Sequence, residues 1–189
     1  MRTPHALALG TAAVSLLAVV AAAAPAAADS VATTLTVEGG TLSVASAATS
    51  ASLGTATSSS TGSTLTGVLP KVTVTDDRGS TAGWTSEVAS TDFTATVDGV
   101  TETIAAAKAK AYIPAGNGPT LTSAELSAVP ATTAVDPSTG IVLSGTAQTF
   151  VTATTTASNS VEYTPEVQVT IDSDVVAGTY SATITHTVV

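Results

Sequence analysis

An all-β fold is predicted here, an antiparallel β-sandwich or partly closed barrel of immunoglobulin-like character in a single domain. Three observations predict it. Apolar and polar residues alternate with period two in every well-patterned segment, as half-buried strands require. Turn-formers punctuate those segments: Gly39-Gly40, Gly54, Gly62, Gly67, Gly79, Gly83, Asp136-Pro137 and Gly178. Long helical periodicity is missing, so many short strands separated by turns remain as the architecture.

The segments justify this in order. SASLGTATSSSTGSTLTG, residues 50–67, is low in complexity and reads as a loop with a mobile character, tied down in part by Leu53 and Leu65. VTVTD puts Val72 and Val74 on one face, and continuing that alternation puts Asp76 and then Arg78 on the same side. FTATVDGVTETI is two alternating runs joined at Asp98-Gly99, a strong two-residue hairpin signal. TETIAAAKAKAYI is the one stretch with helix-forming composition, and a turn or two of helix is expected there. PAGNGPTLTSAEL, residues 114–126, reads as a long surface loop. VEYTPEVQVTID aligns Val167, Val169 and Ile171 on one face. GTYSATITHTVV aligns Tyr180, Ala182, Ile184, His186 and Val188, with Ser181, Thr183, Thr185 and Thr187 opposite.

The first residues stand apart from that fold. MRTPH is basic, ALALGTAAVSLLAVVAAAA is an apolar core, and Ala26-Ala27-Ala28 satisfies the small-residue rule for cleavage before Asp29. Residues 1–28 are read as a signal peptide rather than an uncleaved anchor, leaving residues 29–189 as one secreted domain with no membrane insertion after cleavage. The chain has no Cys, which rules out a lipid-modified cysteine and disulfides alike. About 160 residues suffice for a core without such staples. The net charge is −9, and the cations left after Arg2 are Lys71, Arg78, Lys108 and Lys110. So acidic a surface argues against nucleic acid, whose phosphates need clustered Lys and Arg, and against anionic surfaces held by charge alone.

Catalytic chemistry finds little to work with. His186 is the single His beyond residue 28 and lies on the apolar face of a strand, so a packed histidine is expected before a catalytic one. A Ser-His-Asp triad has no G-x-S-x-G elbow to support it. Zinc would need four ligands that are not here. Asp172-x-Asp174 has the spacing of a calcium loop fragment but reads better as a solvated strand end. Asp76, Asp77, Glu87, Asp92, Asp172 and Asp174 are the carboxylates from which a glycosidase pair would be drawn, yet sugar clefts are usually lined by aromatics. This chain has one Trp, two Phe and three Tyr. No catalytic residue, metal or cofactor is assigned, and the chain is read as a non-enzyme.

What charge and aromatic bulk there is gathers in TDDRGSTAGWTSEV. Asp76 and Arg78 are expected to pair at a strand end, because the planar guanidinium holds a carboxylate bidentately. Gly79 and Gly83 bracket a loop leading to Trp84, which opens a strand and buries its ring against Tyr180 or Phe93. The competing role for Trp84 is a sugar platform shared with Tyr163 and Tyr180.

These residues carry a resemblance. Val72, Val74, Asp76, Arg78 and Gly79, followed by Gly83-Trp84-Thr85, and later Ala177-Gly178-Thr179-Tyr180 with Ala182, Thr183, Ile184, Thr185 and Thr187, resemble the WxL (Trp-x-Leu) domain of Gram-positive surface proteins. The divergent actinobacterial type is the nearer likeness, over residues 31–189. The two signature positions depart from it, reading Trp84-Thr85-Ser86 and His186-Thr187-Val188. The resemblance implies a secreted cell-surface protein bound non-covalently to cell-wall peptidoglycan, with a membrane-anchored companion protein as partner. Trp84, Tyr163, Tyr180 and His186 are then the candidate contact residues. The alternative is an interaction subunit of a surface complex without glycan binding, and a glycan-active enzyme ranks last.

Overall fold

In the computed structural model the described residues are 32–122, 128–155 and 157–189; the signal-peptide reading falls outside them, as does the end of the expected 114–126 loop. Residues 37–189 make one compact unit. It is nearly all strand, with antiparallel sheets packed as an open sandwich rather than closed into a barrel. Among the described residues no helix is long and apolar enough to cross a membrane.

The strands are β1 Leu42–Ser46, β2 Ser63–Val68, β3 Val72–Asp76, β4 Trp84–Ser90, β5 Phe93–Val97, β6 Val100–Ile104 and β7 Ala109–Tyr112. They continue with β8 Thr120–Leu121, β9 Ala128–Ala131, β10 Ile141–Val142, β11 Gln148–Thr155, β12 Asn159–Tyr163, β13 Glu166–Ile171 and β14 Ile184–Val188. Three four-stranded sheets result, ordered β1-β3-β12-β8, β10-β7-β13-β2 and β14-β4-β11-β9, beside the β5-β6 hairpin. The first and third sheets face one another, with β1 approaching β14 at one side and β8 approaching β9 at the other. Thr164 and Pro165 interrupt the run from β12 to β13 and pass the chain from the first sheet to the second. Proline cannot donate to a ladder, so it sits at the crossing rather than inside either strand.

The period-two reading holds where the sheets face each other. Val72, Val74 and Asp76 are buried in β3, and alternate residues of β4 and β12 are buried in the same way. Val167 and Val169 are buried in β13. In the last segment Tyr180, Ala182, Ile184, His186 and Val188 are each half-buried with exposed residues between them, although regular strand begins only at Ile184. The Asp98-Gly99 hairpin forms as expected. Val97 pairs with Val100, and both turn residues take positive φ, 51° and 81°, the two-residue geometry that matches strand twist.

Three expectations are corrected. The helix over TETIAAAKAKAYI is replaced by β6, one 3-10 turn at Ala106–Lys108, and β7. Tertiary packing overrides propensity there: β7 lies between β10 and β13, and Ala109 and Ala111 are both fully buried. Asp92 caps the turn by accepting the Ala106 N–H at 2.7 Å. Residues 50–67 do not remain a loop throughout, because Ser63–Val68 pairs with β13; Leu53 packs against the core and Leu65 pairs with Val169, as their tied-down reading expects. Likewise the 114–126 segment contributes β8, whose Thr120 and Leu121 pair with Glu162 and Val161.

Candidate functional site

The Asp76–Trp84 corner is built from β3 outward. Asp76 is 1% exposed at the end of that strand. Its Oδ1 accepts the Arg78 backbone N–H at 3.0 Å and Nε–H at 2.9 Å, and its Oδ2 accepts Nη2–H at 2.9 Å. The side-chain hydrogen bonds from Arg78 hold the Asp76 carboxyl below the usual carboxylate range, against the opposing effect of burial. The same Nη2 donates to the carbonyls of Gly83 at 3.1 Å and Ala82 at 3.3 Å. One guanidinium thus ties the end of β3 to the far end of the loop that precedes Trp84. Gly79 turns that loop with φ of 63°. At Gly83 a Cβ would lie 2.5 Å from the Ala153 carbonyl oxygen, so the chain passes too close to β11 for any side chain. Gly83→Ala is expected to lower stability by about 1–3 kcal/mol, read as a shift in the urea midpoint.

Trp84 enters β4 opposite Ala153 and is 3% exposed. Its Nε1–H donates to Asn159 Oδ1 at 3.3 Å, and Asn159 Nδ2 donates in turn to the Ala157 carbonyl at 3.1 Å. Asn159 is itself the register partner of Asp76. The ion pair and the Trp are therefore one assembly bridging the two facing sheets. The expectation that Trp84 packs on Tyr180 or Phe93 is not met in ring geometry: among the described residues the aromatic pairs join Phe150, Tyr163 and His186. A shallow depression of about 430 Å³ opens at this end of the third sheet, over Trp84 and between Ala131, Thr154 and Val189.

The second assembly lies deeper between the same sheets. Tyr163 is 1% exposed, and its hydroxyl shares a 2.6 Å hydrogen bond with Ser86 Oγ. Phe150 meets the Tyr163 ring edge-on at 5.9 Å, and His186 lies 6.0 Å from Phe150 and 6.2 Å from Tyr163, centroid to centroid. Burial pushes the Tyr163 phenol up to about 12 and the His186 imidazole down to about 4. Both His186 ring nitrogens are buried without a hydrogen-bond partner. Ser86 and His186 thus share an interior, yet the hydroxyl is committed to Tyr163 and the imidazole to ring packing. This arrangement fills space and has no nucleophile–base hydrogen bond.

The sequence-derived contact residues separate accordingly. Trp84 and Tyr163 are core residues and do not form an exposed platform, which corrects that reading. The physical reason is parity, since both occupy inward positions of strands in facing sheets. His186 is half-buried with its polar atoms inside. Tyr180 alone keeps a partly open ring, and its hydroxyl donates to the Val176 carbonyl at 2.9 Å. Asp76, Arg78, Gly79 and Gly83 come together as one structural unit, as the sequence suggests. Asn159 and Phe150 were not singled out from sequence. Asn159 has the inward parity of Val161 and Tyr163 and is findable on that ground. Phe150 is not, because a bulge between Thr149 and Val151 buries two consecutive residues.

The remaining cations are held within the fold. Lys71 pairs with Glu162 at 2.9 Å, Lys108 with Asp172 at 2.6 Å, and Lys110 Nζ donates to the Pro137 carbonyl at 3.1 Å. Together with Arg78, every cation beyond Arg2 is thereby engaged within the chain. Lys108 also takes one carboxylate of the Asp172-x-Asp174 pair, and among the described residues no group of three or more metal-ligating side chains occurs. Asp76→Ala is expected to cost about 1–3 kcal/mol, discounted for the part-exposed partner, with Arg78 losing its hold on Gly83. Urea unfolding of the variant checks this. Comparison of the chain with protein-family models, with curated proteins and with solved structures finds no match.

Proposed function

We propose that this chain is a secreted, non-catalytic cell-surface domain of the WxL-like kind, serving as an interaction subunit held non-covalently at the cell wall. The observation that supports an interaction role over direct glycan stacking is the burial of Trp84 and Tyr163 in two structural assemblies. Cations fixed within the fold point the same way, to contacts made through hydroxyl and backbone groups rather than charge. A companion surface protein with its own membrane anchor is the partner this reading calls for. Direct peptidoglycan association is the second reading, favoured by the half-open ring of Tyr180. Co-sedimentation with purified peptidoglycan separates the two. Retention of the purified chain, lost in Tyr180→Ala, establishes direct binding. A chain that stays in solution while still fractionating with intact cells of its host establishes attachment through a partner. Turnover of a glycan panel would overturn both.

A further inference from the structure

Residues 32–39 lie outside any strand, and all are exposed. Leu35 is 89% and Val37 86% exposed, and among the described residues this stretch makes no hydrogen bond; Gly39 lies close against the Arg78 backbone, and the first backbone hydrogen bond is that of Gly40, whose N–H donates to the Asp77 carbonyl at 2.7 Å. Thr33, Leu35 and Val37 alternate with Thr34 and Thr36, which is a strand pattern without a strand. Leu35 and Val37 are the most exposed large apolar side chains among the described residues, and their spacing puts both on one face of an extended segment.

The fold supplies a matching edge. β2 ends the second sheet, pairs only with β13, and has no strand on its other side among the described residues. Its sequence STLTGV carries none of the devices that usually protect an edge, neither charge nor proline. It also shares Thr-Leu-Thr with the segment, at Thr64-Leu65-Thr66 against Thr34-Leu35-Thr36. The other edges are shorter, covered or guarded: β1 and β14 approach one another, as do β8 and β9, β10 is two residues long, β9 carries Pro130, and β6 of the hairpin carries Glu102.

We propose that residues 32–38 of one copy add as a strand to the β2 edge of a second copy. Seven residues at about 3.3 Å each span roughly 23 Å, enough to cover the six residues of β2. The pairing supplies about half a dozen backbone hydrogen bonds and sets Leu35 beside Leu65 on the half-buried face. Because the donor segment and the acceptor edge are different surfaces, the contact is heterologous and propagates from copy to copy unless a ring closes it. Glu38 is the one charge in the segment, while the whole chain carries −9, so association strengthens as salt screens copy-to-copy repulsion. The proposal does not depend on wall binding.

Sedimentation equilibrium of the full chain tests it. The wild-type mass should rise with concentration above the 18.3 kDa monomer, and more so at high salt. A Leu35→Pro, Val37→Pro double variant should stay monomeric with an unchanged thermal midpoint, since those side chains are outside the core. A wild type that stays monomeric, or a double variant that associates equally, overturns the proposal. The latter outcome also covers association through residues 1–28, which both proteins keep. The absence of Cys permits a second readout. With Leu35 opposite Leu65 in an antiparallel addition, Thr36 lies opposite Thr64 on the outer face, so Thr36→Cys mixed with Thr64→Cys should oxidise to a mixed dimer well above the yield of Thr36→Cys with Val142→Cys, and equal yields count against the pairing.

Discussion

Trp84→Ala should lower the unfolding free energy by about 3–5 kcal/mol, the cost of emptying a fully buried Trp site. For a domain of this size that is on the order of 10 °C in the thermal midpoint. Two losses combine. The ring leaves a void between the facing sheets, and Asn159, 4% exposed, loses the indole N–H that its Oδ1 accepts. Trp84→Phe separates them by keeping most of the volume while removing the donor, and should lose only about 1–2 kcal/mol. Differential scanning calorimetry of the three proteins measures both. An unchanged midpoint in Trp84→Ala, accompanied by lost retention on peptidoglycan, would return the residue to a surface role.

The second large effect is acid sensitivity through His186. Its folded value, about 4, lies below the ordinary 6.5 because the imidazole is buried against Phe150 and Tyr163 with no partner for either nitrogen. Between those values the unfolded chain binds a proton that the folded chain refuses. Stability is therefore full above about pH 6.5, falls as pH drops below it, and levels off below about 4. At about 1.4 kcal/mol per pH unit the loss approaches about 3 kcal/mol. The rings packed on it from β11 and β12 are Phe150 and Tyr163, its register partner in β4 is the uncharged Val88, and the Tyr163 phenol stays protonated throughout. Urea titrations from pH 7 to pH 4 should show this slope in the wild type and lose it in His186→Phe. A slope that persists in the variant would assign the effect elsewhere. Asp76 acts in a different window: its lowered carboxyl contributes above about 3.8 and loses its contribution as pH falls through the lower folded value. The variant should therefore lose the slope between pH 7 and pH 4 yet still lose stability when the titration is carried below pH 4.

Much of the architecture was legible because it depends on local rules. Alternation placed Val72, Val74 and Asp76 inward, and Asp98-Gly99 marked a hairpin that closes with the expected turn. The Asp76–Arg78 pair was legible from residue type and short spacing, although Arg78 lies past the end of β3, in a bend whose backbone N–H the same carboxylate accepts. The failures share a cause as well. Ala106 to Ala111 has helix-forming composition, but the slot between β10 and β13 accepts small side chains in a strand. Phe150 escaped because a bulge breaks the parity on which the reading depends. Ser86 looked like a departure from a Trp-x-Leu signature, and only the facing sheet shows that its hydroxyl completes the Tyr163 hydrogen bond.

The sequence by itself determined the class of fold, the faces of its main strands, the ion pair at the end of β3 and the acidity of the chain. Each of these follows from residue type and spacing along one segment. The tertiary structure alone decided that Trp84 and Tyr163 belong to the core, that the His186 ring nitrogens are buried against Phe150 and Tyr163, and that β2 ends its sheet among the described residues. Those properties arise between segments far apart in the chain, where burial depends on which sheet faces which, and no single strand's pattern carries that information.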